Sequence, residues 1–302
     1  MKKYLILFII ITMLFFGCTS QNPENDSKDK ILIATTSYPI YDFVRNVVNE
    51  DEFEIWLMLP SGLNAHSYEP TPQDLVKLQE TDVVVYTTKY FEIWADDTIK
   101  TIDNKNTLII EAGKNVQLVK PDDETLGPVD PHIWLSPKNA ETMVETISNE
   151  IKMKYPEKAE GIEKKTTEYL KELNELDKKY LETTKKCKKK EMFVSHAAFG
   201  YLVKHYDLIQ IPIIKNFDPQ GEVSLADLAG VIEAAKQHNA THVFFEDFIS
   251  PKLSEEVAKE INGKTAIFSP MEAYATKQIE EDSYIKIMER NLEVLSEALE
   301  CG

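Results

Sequence analysis

The chain holds six histidines, His66, His132, His196, His205, His238 and His242. A neutral imidazole offers a lone pair to a transition metal, and several imidazoles in one place make the nitrogen-rich site that zinc favours. Three of the six stand in settings suited to a ligand. His66 lies in Pro60-Ser61-Gly62-Leu63-Asn64-Ala65-His66-Ser67-Tyr68-Glu69-Pro70, a run of turn-forming residues. His132 lies in Asp130-Pro131-His132-Ile133-Trp134-Leu135-Ser136-Pro137, between two prolines and just ahead of a helix. His196 directly follows an apolar run at 192–195. A ligating imidazole needs an acceptor on its other nitrogen to fix its tautomer, and Glu69 and Asp130 are the candidates. His205 and His238 fall within or at the end of predicted helices and His242 opens a predicted strand, where a lone histidine is more often paired or solvated than a ligand.

The elements that must position these residues alternate between strand and helix. Residues 31–35, 53–59, 82–86 and 107–110 read as strands, with helical stretches at 40–49, from Thr71-Pro72-Gln73-Asp74 onward, and at 91–99. That alternation predicts a parallel sheet covered on both faces. A second unit repeats it, with strands at 192–195, 208–214, 242–246 and 264–268. Its helices fall at 199–206, 225–238 (Ser224 as N-cap), 252–261 and 284–299. Between the units, residues 137–190 are helical and divided at Pro156. From Pro156 to about Lys186, Leu170, Leu173, Leu176, Tyr180 and Leu181 form one apolar stripe on a rod about 45 Å long.

The expected fold is therefore α/β: two lobes, each a parallel sheet flanked by helices, joined by a long rigid helix. Ligands of open α/β sheets bind beyond the carboxyl ends of the strands. His66 and His132 follow strands of the first lobe and His196 follows one of the second, so a metal gripped in the cleft is expected. The expected boundaries are residues 1–18 for an export segment, 19–30 for a polar tether, 31–137 for the first lobe, 138–190 for the helical segment and 191–302 for the second lobe.

Met1-Lys2-Lys3, an apolar run at 4–16 broken by Thr12, and then Gly17-Cys18 read as a secretory signal. At about 13 residues the run falls short of the roughly 20 that a membrane span requires. Cys18 is expected to carry lipid, although Phe15-Phe16 ahead of Gly17 departs from the usual pattern of leucine and a small residue. The net charge of −17 excludes a nucleic-acid surface, which needs a basic footprint. Of three cysteines, Cys187 and Cys301 are left as a candidate disulfide in an exported protein, two free thiols being the alternative. The polar loop at 113–129, with Asp122, Asp123 and Glu124, is long for a compact domain and suggests a flap or binding loop.

Taken together, the sequence resembles the solute-binding proteins of zinc and manganese ABC importers, the cluster 9 family. The resemblance runs from about residue 31 to 299 and rests on five stretches in the family's order: Thr36-Ser37-Tyr38-Pro39-Ile40-Tyr41-Asp42, the 60–72 histidine loop, Asp130 to Pro137, Val194-Ser195-His196-Ala197-Ala198-Phe199-Gly200-Tyr201, and Asp282-Ser283-Tyr284. It implies His66, His132 and His196 as ligands, Zn²⁺ as the bound ion with Mn²⁺ as second choice, and no enzymatic turnover. It also implies delivery of metal to a membrane permease by a monomeric, lipid-anchored protein on the extracytoplasmic face. Histidine at 196, where manganese-type members tend to carry a carboxylate, marks the zinc type.

Two departures stand out. Ser269, in Phe268-Ser269-Pro270-Met271-Glu272, occupies the place where the family often has an aspartate as fourth ligand. Water, Glu272 or Glu246 is left for that position. The 113–129 loop also lacks the histidines common in zinc-type members. The competing readings are a manganese- or iron-specific binding protein, a zinc-dependent hydrolase and a surface adhesin. Three histidines with an open water position would suit the hydrolase, but the chain has neither an HExxH helix nor a nucleophile elbow.

Overall fold

Residues 83–86, Val-Val-Val-Tyr, are buried without alternation, as a strand covered on both faces must be. In the computed structural model, which describes residues 30–121 and 126–302, they form an inner strand of a four-stranded sheet. The expected export segment with Cys18, nearly all of the tether, and Asp122, Asp123 and Glu124 lie outside the described residues.

The first half runs β1 (Ile31–Thr35), α1 (Tyr38–Val47), β2 (Phe53–Leu57), α2 (Pro72–Leu78), β3 (Val83–Tyr86), α3 (Ala95–Ile99) and β4 (Leu108–Glu111). The strands are all parallel, in the order β2-β1-β3-β4. The 60–72 loop ends where Thr71 and Asp74 close a reciprocal capping box at the start of α2, with Pro72 in the first turn. The helix expected over 91–99 is only α3, because the buried Glu92 carboxylate turns back to accept from the backbone N–H groups of Thr87 and Thr88. Those bonds fix a turn over 87–92 in place of a helical one.

Then come α4 (Pro137–Lys154), a 3-10 turn at Pro156–Lys158 and α5 (Ala159–Thr184). Ser136 caps α4 by accepting from the Asn139 N–H. At 26 residues α5 is about 39 Å long, shorter than expected because the chain spends one tight turn after Pro156. Ile162, Thr166, Tyr169, Leu173, Leu176 and Tyr180 bury one stripe of it.

The second half runs β5 (Glu191–His196), α6 (Gly200–His205), β6 (Ile209–Ile214), α7 (Leu225–Gln237), β7 (His242–Phe245), α8 (Lys252–Glu260), β8 (Lys264–Ile267), α9 (Thr276–Glu281) and α10 (Tyr284–Ala298). Ser224 caps α7 as its sequence predicts. Pairing is parallel throughout, in two ladders, β5-β6 and β7-β8, with β7 running beside β5. Pro212 sits in β6, which pairs on one side only, the position where a missing N–H is tolerated.

One hydrophobic core includes Phe43 of α1, Met143 of α4, Leu173 of α5 and Ile287 of α10, so helices from both halves share it; a smaller one around Phe193, Val231, Val243 and Val257 packs the second half. Asp42 ties the helices together: ion-paired to Arg45, it accepts from Tyr169 Oη of α5 at 3.0 Å and from the Tyr284 N–H of α10 at 3.1 Å. The Cys187–Cys301 disulfide forms, joining the segment after α5 to the one after α10. Among the described residues no helix is long and apolar enough to cross a membrane.

Candidate metal centre

Residues far apart in the chain converge at the strand ends. His66 sits on a 3-10 turn, Ala65–Ser67, held by Asn64 Oδ1 accepting from the His66 N–H at 2.8 Å. His132 precedes the 3-10 turn Ile133–Leu135. His196 is the last residue of β5 itself, one position earlier than the loop in which it was expected. The Nε2 atoms of His66 and His132 are 3.1 Å apart. Glu272 Oε1 lies 3.5 Å from His66 Nε2, 3.0 Å from His132 Nε2 and 3.1 Å from His196 Nε2. One donor atom from each of the four residues falls within 4.8 Å of every other. The edge of a tetrahedron around a zinc ion bound at 2.0–2.1 Å is about 3.3 Å, the scale of these separations.

The remaining nitrogens are held by carboxylates. His132 Nδ1 faces Asp130 Oδ1 at 2.8 Å, and the same oxygen accepts from the His132 N–H at 3.0 Å. His196 Nδ1 meets Glu246 Oε1, which also accepts from Ser195 Oγ. A carboxylate only accepts, so each Nδ1 carries a proton, and each Nε2 faces Glu272, to which it donates while the ring is charged and where its lone pair becomes free once that proton leaves. Asp130 thus holds the orienting place expected of it. Glu69 does not: it is exposed and stands outside these contacts. Glu246 holds His196, and Glu272 stands beside all three imidazoles, where it could supply a fourth donor. Only His66 of the four reaches the surface, with its side chain 12% exposed, so the way in lies on its side.

Ser269 has another task. Its Oγ accepts from the Met271 N–H at 3.3 Å, and its backbone is clasped by the Asn291 side chain of α10, which accepts from the Ser269 N–H at 2.9 Å and donates to its carbonyl at 2.8 Å. Trp134 Nε1 donates to the Pro270 carbonyl at 2.8 Å. Met271 then takes φ +61°, a left-handed turn that costs a non-glycine residue about 1 kcal/mol or more. That turn aims Glu272 inward. The Ala65 N–H donates to the Glu272 carbonyl at 2.9 Å, and Asn64 Nδ2 to Glu272 Oε2 at 3.3 Å. The loop that carries His66 is therefore bonded directly to the segment that carries Glu272, and only Oε1 faces the imidazoles.

His205, His238 and His242 lie elsewhere, beside Asp177, Glu191 and Glu297 respectively. Nothing in the spacing of Glu272 singles it out from water and Glu246, the other choices for the fourth position; the signal toward it is its place three residues past the position where the family often carries an aspartate.

Asp130, Glu246 and Glu272 are three buried carboxylates, and buried charges require counter-charges. In the metal-free protein these are protons on imidazole. Burial opposes charge on His196, but Glu272 and Glu246 beside it overcome this and raise its pKa to about 10. Burial likewise opposes charge on His132, and its bonds to Asp130 and Glu272 raise its pKa. For Glu272 burial acts upward, yet His196 and His66 hold its carboxyl well below the usual range. A divalent cation would replace the protons while satisfying the same carboxylates.

The chain is 35% identical over 315 residues to the high-affinity zinc uptake system protein ZnuA of Bacillus subtilis, covering 99% of this chain and 98% of that one. It is 32% identical over 309 residues to the zinc-binding lipoprotein AdcA of Streptococcus pneumoniae, where 98% of this chain spans 61% of that longer protein. Among solved structures, the Zn(II)-bound ZnuA-like domain of Streptococcus pneumoniae AdcA superposes with a TM-score of 0.78 at 32% identity, over 89% of this chain and 99% of that one. The family model for ZnuA, described as zinc-uptake complex component A, periplasmic, matches residues 33–298, and the chain belongs to that family.

Proposed function

We infer that this protein is the extracytoplasmic zinc-binding component of an ABC importer, a carrier rather than an enzyme, which takes up one Zn²⁺ on His66, His132, His196 and Glu272 and passes it to a membrane permease. The observation that carries the reading is the convergence of three imidazole nitrogens and one carboxylate oxygen, from four separate segments, within 4.8 Å. Three nitrogens and one oxygen suit tetrahedral zinc, whereas manganese favours oxygen-rich sets of higher coordination number. The bond from Asn64 to Glu272 Oε2 favours a single-oxygen contact, and so four coordination over six.

Capture follows from the side chains. The ion meets the partly exposed His66 first, then the three buried donors, and the protons held by the imidazoles leave as it binds. Asp130 and Glu246 keep both Nε2 lone pairs aimed at the ion. We include in this reading a lipid anchor at Cys18, a tether over 19–30, lobes at 31–137 and 191–302 joined through the helical segment 138–190, and a monomeric carrier. Mass spectrometry of the protein extracted from membranes tests the anchor.

The test of the main reading is elemental analysis of protein purified without added metal, followed by chelator competition with zinc, manganese and iron. One zinc per chain, held in preference to the other two ions, is the expected result. An equal or greater preference for manganese or iron, or no bound metal at all, contradicts it.

A further inference from the structure

Gly200 opens α6, four residues after His196, and nothing in its backbone calls for glycine: its φ is not left-handed, and alanine is the better helix former. What it lacks is space. A Cβ built on Gly200 would lie 2.2 Å from Asp130 Oδ2 and 3.4 Å from Asp130 Cγ, and the first distance is far inside any real carbon–oxygen contact. The Asp130 carboxylate occupies the volume of the missing side chain.

Asp130 has little freedom to retreat. Its N–H donates to the Val119 carbonyl at 3.0 Å, and its own carbonyl accepts from Tyr201 Oη at 2.9 Å. That hydroxyl in turn accepts from the Val119 N–H at 3.1 Å. Pro131 follows, fixing the next φ. The carboxylate's other oxygen holds both the N–H and the Nδ1 of His132. A methyl group at 200 therefore displaces Oδ2 and rotates Oδ1 out of line with the imidazole.

We infer that Gly200 is a positioning residue for metal capture: its bare Cα seats the Asp130 carboxylate that orients His132. The inference rests on His132 being a ligand. It means that one short segment, residues 196–201, supplies one ligand outright and sets the orientation of a second that comes from the other half of the chain. His132 and His196 are then built as a unit, and substitutions at 200 act on affinity without touching any donor atom.

The test measures zinc affinity by chelator competition in five proteins: Gly200→Ala, Asp130→Ala, the double variant, Gly230→Ala and His132→Ala. Gly230 lies in α7 with nothing within 4 Å of its Cβ position, and its variant controls for added helix propensity. Loss of a group that orients a ligand weakens metal binding by about 10–100-fold, and that loss is expected for Gly200→Ala and for Asp130→Ala, with none for Gly230→Ala. In the Asp130→Ala background the collision is gone, so Gly200→Ala should cost nothing more. Unchanged affinity in Gly200→Ala overturns the inference, as does an equal loss in both backgrounds, which would mark a packing effect on α6. Unchanged affinity in His132→Ala removes the ligand reading itself, so the two failures are told apart. If Gly200→Ala alone does not fold, the double variant compared with Asp130→Ala still decides.

Discussion

At the scale of single residues, the proposed site divides into atoms that would touch the ion and atoms that would aim them. Removing His66, His132, His196 or Glu272 as alanine is expected to weaken zinc binding by orders of magnitude in a competition titration, whereas His205→Ala, whose ring lies beside Asp177, should leave it unchanged. Glu246→Gln keeps the shape but not the charge beside His196, and a loss of about 10–100-fold is expected. Protons and zinc compete for the same nitrogens. His196 titrates near 10 in the metal-free fold against 6.5 when unfolded, so its charge stabilises that fold fully below about pH 6.5, and the contribution is lost as pH rises toward 10. Glu272, with its pKa held down, contributes above its ordinary value and loses that contribution only on acidification. Zinc must displace the imidazole protons, so its affinity should climb between pH 6 and pH 8.5, with proton release visible by calorimetry in buffers of different ionisation enthalpy. A flat profile would contradict the counter-charge account.

The three histidines were legible in the sequence because turn residues and prolines surround two of them and a strand end carries the third. Glu272 was legible only as one of three choices for the fourth position, beside water and Glu246, because its position depends on contacts across the fold. At the scale of elements, those contacts are the Asn291 clasp on Ser269, the bond from Trp134 to the Pro270 carbonyl and the left-handed Met271. Asn291→Leu removes the clasp and leaves two backbone groups of a buried turn without partners, at a cost of about 1–3 kcal/mol. The variant should melt lower than the unaltered protein and bind zinc more weakly, although Asn291 touches no donor. Equal affinity would show that the segment holds Glu272 without help from α10. Strand and helix positions were readable from periodicity to within a few residues. The exceptions have local causes: Glu92 bonding back to the turn over 87–92, and the tight turn after Pro156. The split of the second half into two ladders left no mark in the pattern, since burial and not pairing sets the apolar runs.

At the scale of the whole molecule, α5 packs with α1, α4 and α10, and Asp42 of α1 bonds to both α5 and α10. A shared helical core of this kind resists hinge opening. Small-angle scattering with and without zinc should superpose, and a change equivalent to a lobe rotation would contradict a rigid spine. Asp42→Ala takes the ion pair from Arg45, which keeps the Ile279 and Asp282 carbonyls, and leaves the Tyr169 hydroxyl and the Tyr284 N–H without this acceptor; a loss of about 3 kcal/mol is expected from urea unfolding of the metal-free protein. The disulfide spans 114 residues, and its reduction should lower stability by an amount approaching about 4–5 kcal/mol, with zinc stoichiometry unchanged. The sequence offered that pairing only as one of two choices, because spacing along a chain does not report distance in space.

X-ray absorption at the zinc edge of the protein loaded with one equivalent tests the central claim most directly. The account predicts four light-atom ligands at about 2.0 Å with the outer-shell scattering of three imidazoles. A six-oxygen shell, or one with fewer than two imidazoles, would contradict it.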